Sequence, residues 1–194
     1  EGRDVYGEQN TIDIDNAIRR SQVELAHYEL KQGMLRLDEQ RAVDDDAIER
    51  VLQTICAIAN NGPDRTGTIL IGVSDKPADT ARVQSLDGVQ PRKVGSARDV
   101  VGVLREAVAL GESPEHYVAR WKTAISQSPL SEPLKTDVLS SLSFNDYYGL
   151  GVLVISIPRQ RGLSFYGEDV YWRNGDSTMK AEGAKRIADI ASRF

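Results

Sequence analysis

The stretch "TILIGVSD", residues 68 to 75, most narrows what this chain can fold into. Successive side chains of a strand point to opposite faces, so a strand with one wet face alternates apolar and polar residues. Here Ile69, Leu70, Ile71 and Val73 are interrupted only by Gly72. Both faces must therefore be covered, which predicts a central strand ending at Asp75. The preceding text, "DDDAIERVLQTICAIANNG", predicts a helix from Asp46. Asp46 and Glu49 have capping-box spacing, and Ile48, Val51, Leu52, Ile55, Cys56 and Ala59 recur at three and four to form one stripe. Asn60, Asn61 and Gly62 supply a left-handed stop, and Pro63 forbids continuation.

Other segments fall around this pair. "TIDIDNAIRR" (11 to 20) predicts a short helix capped by Thr11, with acids in its first turn and arginines in its last. "HYELKQG" alternates, with Tyr28 and Leu30 on one face and Glu29 and Lys31 on the other, before a turn at Gly33. Lys76 to Arg98 reads as a long polar excursion, and "DVVGV" (99 to 103) as a short strand. Two helices are predicted within 114 to 142, each opening on serine followed by proline or glutamate. "YGLGVLVISIP" (148 to 158) and "DVYWRNG" (169 to 175) read as paired strands, and "KAEGAKRIADIASRF" as a closing amphipathic helix. The mixture predicts an α+β fold, a mixed sheet flanked by helices, with a helical insertion over residues 104 to 146.

A length of 194 residues suits a single domain, residues 1 to 194. The chain opens on Glu1 rather than methionine, which reads as a piece of a longer protein with a fused effector or sensor domain. The lone cysteine, Cys56, lies in an apolar run and reads as buried. The most apolar stretches fall well short of the roughly 18 residues a bilayer span needs. No membrane partner is expected, and the location expected is cytoplasmic. Formal net charge is −5, from 24 basic and 29 acidic residues, so any polyanion site must rest on local positive charge.

"GPDRTGT" has the glycines of a phosphate loop but no lysine after the second, and a strand follows. Cysteine is too scarce for a zinc site, and only His27 and His116 offer imidazoles. Glu29 and Lys31 share a polar strand face, Glu24 lies five residues before Glu29, and Asp75 ends the central strand. Spacing alone reads these acids first as solvated carboxylates. If the two strands are neighbours, the acids converge at one sheet end, a donor set suited to Mg²⁺ or Mn²⁺.

"ELKQGM", "ICAIANNGPDRTGTILIGVSD", "DVVGV", "GVLVISIP" and "YWRNGDST", in that order, resemble the blocks of the Schlafen-like, AlbA-type nucleic-acid-binding domain. The resemblance runs from about Val23 to Ala181. Among its ribonuclease members it implies an active site of three acids, which fall here on Glu24, Glu29 and Asp75. Ser74 replaces the first aspartate of one block, and Leu30 an aromatic. The resemblance implies a Mg²⁺- or Mn²⁺-dependent endoribonuclease acting on tRNA-like or structured RNA, with a role in antiviral defence, and a homodimer lining a positive cleft.

In that reading Glu24, Glu29 and Asp75 hold the metal, and Lys31 or Arg173 offsets charge on the phosphate. Arg159, Arg161, Arg173 and Lys180 are the expected nucleic-acid contacts, with RNA favoured and DNA possible. Tyr166, Tyr171 and Trp172 are interleaved with them as candidate stacking surfaces. The rival reading is a non-catalytic DNA- or RNA-binding module of a larger protein. His27 carries no expected role, and Tyr147 and Tyr148 are expected to pack against the sheet.

Overall fold

The computed structural model describes the backbone of residues 5–194 and the side chains of residues 11–194. Helix α1 spans Val5–Arg20, so the helix predicted from Thr11 begins earlier. Strand β1 (Tyr28–Lys31) is followed by α2 (Asp45–Ala59) and β2 (Gly67–Ile71). The cap of α2 is Asp44, whose carboxylate accepts from the Ala47 N–H, rather than Asp46. Its stop is not left-handed at Asn60, where φ is −83°.

The order of the main sheet is β1-β2-β7-β6, with β7 at Val152–Ile157 and β6 at Ser143–Asn145. Strand β2 is central, parallel to β1 and antiparallel to β7. Its continuous apolar run is explained by two separate cores. Ile69 and Ile71 face a core shared with α2, α5 (Pro114–Ser126) and α6 (Leu134–Ser141). Leu70 faces a second core shared with Ile14 and Ile18 of α1.

The run does not stay in one sheet. At Gly72, φ is +106°, a backbone conformation that favours glycine, and a Cβ would lie 3.1 Å from the Gly102 backbone. The Gly72 N–H still donates to Lys31 O, while its carbonyl accepts from Val101 N and Gly102 N. Beyond this corner, β3 (Val73–Ser74) joins a second sheet of order β3-β5-β4, with β4 at Arg92–Val94 and β5 at Arg98–Val100.

The expected excursion after Lys76 contains α3 (Pro77–Asp87) as well as β4. Only Thr80 and Val83 of α3 are buried, so it lacks the apolar stripe that announces a helix. Helix α4 (Leu104–Leu110) opens the 104 to 146 segment expected to be helical, ahead of the two helices predicted within 114 to 142. Residues of the 104 to 146 segment, Trp121 and Ile125 among them, lie in the same core as α2 and β2.

The predicted pairing of residues 148 to 158 with 169 to 175 is wrong. Strand β7 pairs with β2 and β6, whereas β8 (Tyr171–Asn174) forms a hairpin with β9 (Ser177–Lys180). The hairpin packs on α2 and the closing helix α7 (Gly183–Ala191) follows it. Asn60, fully buried, ties this layer to α2: its amide donates to Ser164 O and Tyr171 O and its carbonyl accepts from Ser164 N at 2.8 Å. Asn60→Ala orphans those backbone groups and is expected to cost roughly 2 kcal/mol, read as a lower midpoint in urea unfolding.

Candidate nucleic-acid interface

A cleft of about 700 Å³ opens where β1, the β3–α3 turn and the tip of the β8–β9 hairpin meet. Glu29, Lys31, Asp75 and Arg173, four of the residues singled out from the sequence, line it together. Glu24 does not; it lies outside that lining, 3.3 Å from the exposed Arg65.

Arg173 was expected to meet phosphate, but its side chain is 1% exposed and committed to the protein. One guanidinium nitrogen donates to Glu29 Oε2 at 3.0 Å and to Thr178 Oγ1, and the other to the carbonyls of Leu25 and Tyr28. It fastens the β8–β9 hairpin to the edge of β1, and its burial is possible because Glu29 compensates the charge. The other expected contacts lie elsewhere. Arg159 and Arg161 border a separate hollow of about 200 Å³ beside Pro133 and Asp137, and Lys180 pairs with Asp169 at 3.4 Å.

The expected stacking surfaces are occupied as well. Tyr166 and Tyr171 pack edge to face with each other, and the Arg186 guanidinium covers the Trp172 ring at 4.5 Å. Among the described residues, Tyr28 is the one aromatic lining the cleft. Of the tyrosine pair, Tyr147 is buried as expected while Tyr148 is 59% exposed beneath Arg92.

Cations missed in the sequence supply the cleft instead. Arg36, Arg50, Lys76 and Arg98 line it with Lys31, and none of the five has an acidic partner within ion-pair distance among the described residues. Of the acids there, Glu29 is held by Arg173 and Asp44 caps α2, leaving Asp75, Asp79 and Asp176 unpaired among the described residues. These cations come from four separate chain segments, which is why no basic run announced them.

The wall carrying Lys31 and Arg36 is held from behind by α4. The Glu106 carboxylate, fully buried, accepts from Met34 N and Leu35 N at 2.8 Å and from the Tyr117 hydroxyl at 2.6 Å. Burial, followed by that carboxylate, pushes the Tyr117 phenol well up, so it remains a proton donor. Arg105 donates to Gln32 O and Gln32 Oε1, to Gly102 O and to Asp87 Oδ2, which also accepts from Arg41. Gly33 lies between these anchors, and a Cβ there would sit 2.2 Å from Glu106 Oε1.

Among the described residues no group of three or more His, Cys, Asp or Glu side chains is gathered as an ion requires. The three acids thus do not fit a common three-carboxylate site as they stand. Two of them, Glu29 and Asp75, share the cleft, and Asp75 is exposed. His27 is poorly placed as a cation: burial lowers its pKa, Arg65 lowers it further, and Glu24 opposes. Cys56 is buried, its thiol pushed up to about 12 mainly by burial, and is inert at neutral pH.

Fold and site define an α+β domain with a cation-lined cleft. The chain belongs to the Schlafen, AlbA_2 family, whose model matches residues 24–182, and this membership implies a nucleic-acid-related role. No curated protein matches the sequence. Among solved structures, the DIP2311 protein from Corynebacterium diphtheriae is similar over 94% of this chain, at 14% identity and a TM-score of 0.51, a likeness of fold. The chain spans about a third of that protein, 32% of its length. No helix among the described residues is long and apolar enough to cross a membrane.

Gly33→Ala forces a methyl group onto a carboxylate fixed by three hydrogen bonds. It is expected to lower stability by about 2 kcal/mol in chemical denaturation, the scale of overpacking a filled interior.

Proposed function

We propose that this domain binds RNA through the cleft between β1, the β3–α3 turn and the β8–β9 hairpin, gripping the phosphate backbone. One observation carries the reading: Lys31, Arg36, Arg50, Lys76 and Arg98 converge on one cleft with no acidic partner in ion-pair range among the described residues. The same lining carries five acids, Asp75, Asp79 and Asp176 of them unpaired among the described residues, against six cations, so a small positive excess remains there for a polyanion to neutralise while it releases its own counterions. A lining with a single aromatic among the described residues favours backbone contact over base stacking.

Fluorescence anisotropy with labelled tRNA across a salt series tests it. Lys31→Ala with Lys76→Ala should weaken binding at least tenfold and reduce the slope of log affinity against log salt by about 2, near one for each phosphate no longer neutralised. Unchanged affinity and slope would discard the cleft as the binding site. Pairing of two copies across a shared cleft is a further proposal from the family likeness, read as a doubled mass in light scattering.

A second reading, a metal-dependent endoribonuclease, is favoured by Glu29 and Asp75 sharing the cleft with Lys31. Mg²⁺ commonly takes one or two carboxylates and completes its shell with water and substrate phosphate, so these two acids match its needs only with RNA bound. Glu29→Gln is a poor probe because it strips the compensating charge from the buried Arg173. Asp75→Asn is the better one. With Mn²⁺ and tRNA, wild type should cut and Asp75→Asn should bind at least as tightly without cutting. Equal cleavage by both, or none by either, removes the nuclease reading and leaves binding as the function.

A further inference from the structure

Leu25 and Tyr28 line the cleft without belonging to any of the hydrophobic cores. Leu25, 40% exposed, lies in the 3₁₀ turn Leu25–His27 that leads into β1, and Tyr28 is half-buried. Among the described residues the Tyr28 ring has no aromatic or cationic partner, and its hydroxyl is neither hydrogen-bonded nor buried. Tyr166, Tyr171 and Trp172 differ, each having a ring partner. The pair is nevertheless held in place. One nitrogen of the buried Arg173 guanidinium donates to the Leu25 and Tyr28 carbonyls, at 2.8 and 2.9 Å, which fixes the two residues side by side. Along β1, Tyr28 shares the strand face of Leu30, opposite Glu29 and Lys31. Because β1 is the outer strand of the main sheet, residues of both faces reach the cleft along its open side.

We propose that the Tyr28 ring, with Leu25 beside it, stacks one unpaired base, so that the ligand of the cleft is a single-stranded RNA segment rather than a duplex. The inference rests on the cleft being the RNA site and adds which form of RNA fits it. Within a duplex each base is covered on both faces by its neighbours, so a side-chain ring meets a base face only where the strand is unpaired. The size of the cleft agrees. About 700 Å³ lies in the range of roughly 300 to 1,000 Å³ that encloses a drug-sized ligand, room for a nucleotide or two and far short of a helical turn. A tyrosine that merely filled space would sit in a core and find a partner for its hydroxyl, and Tyr28 does neither. Because its main chain and that of Leu25 are already fixed by Arg173, little ordering is left to oppose the stacked base.

The test compares the wild type, Tyr28→Ala, Tyr28→Phe and the Lys31→Ala, Lys76→Ala variant by fluorescence anisotropy on three probes of about eight nucleotides per strand: single-stranded RNA, the same strand lacking its bases, and a blunt duplex. Tyr28→Ala should weaken the single strand about tenfold with its salt slope unchanged, the loss expected for one stacked base, and bind the abasic strand and the duplex as the wild type does. Tyr28→Phe, which keeps the ring, should match the wild type on all three. The cleft variant should lose affinity and slope on the single strand and the abasic strand alike. Wild-type binding of the single strand by Tyr28→Ala, or an equal loss on the abasic strand or the duplex, overturns the stacked base, and the cleft reading survives because the cleft variant still fails. Wild-type affinity and slope in the cleft variant overturns the cleft reading and the stacked base with it. A thermal melt accompanies each titration; a Tyr28→Ala protein unfolded at the assay temperature is replaced by Tyr28→Leu, for which the same outcomes decide.

Discussion

The fully buried Glu106 carboxylate and the neighbouring Arg105 hold the cleft together. They grip the backbone on both sides of Gly33, Arg105 at Gln32 O and Glu106 at Met34 N and Leu35 N. A buried carboxylate with unmet lone pairs would be costly, and so would a buried guanidinium with idle donors. Here the peptide groups of the β1 exit loop satisfy much of both, with Tyr117 and Asp87 supplying further partners. The loop cannot move without leaving both charges exposed to that cost, so Lys31 and Arg36 are presented from a fixed wall.

The opposite wall depends on the corner at Gly72. One continuous stretch of chain serves two sheets there: Ile69 to Ile71 complete the central strand, and Val73 and Ser74 enter the smaller sheet. The change of direction delivers Asp75 and Lys76 to the cleft facing β1 rather than past the end of the strand. The third side is the β8–β9 hairpin, fastened by Arg173 to Glu29 and to two carbonyls ahead of and within β1. Each wall is thus fixed by polar contacts to main-chain groups, while Lys31, Arg36, Arg50, Lys76 and Arg98 have no acidic partner in ion-pair range among the described residues.

Much of the fold could be read from periodicity, because burial imposes it. The stripe of α2 and the unbroken apolar run of β2 each report a single physical demand, cover on one face or on two. The helix α3 gave no such report, since its "PADTARVQSLD" places only Thr80 and Val83 inside. Strand pairing was not legible either. "GVLVISIP" and "DVYWRNG" are both strand-like, but nothing local says that the first joins the main sheet while the second folds onto its own neighbour. Of the residues lining the cleft, Glu29, Lys31 and Asp75 stand out in the sequence, while Arg173, expected at phosphate, has its charge spent internally. Arg105 and Glu106 went unnoticed because adjacent charged residues ordinarily face water. Their burial depends on backbone groups about 70 residues away.

The central claim, that the cleft is where nucleic acid sits, is tested most directly by ultraviolet cross-linking of bound RNA followed by mass spectrometry of the linked peptides. The account predicts cross-links concentrated in the segments around Lys31 to Arg36, Asp75 to Lys76 and the tip of the β8–β9 hairpin. Cross-links confined to the Arg159 and Arg161 surface or to α7, with the cleft segments unlabelled, would contradict it.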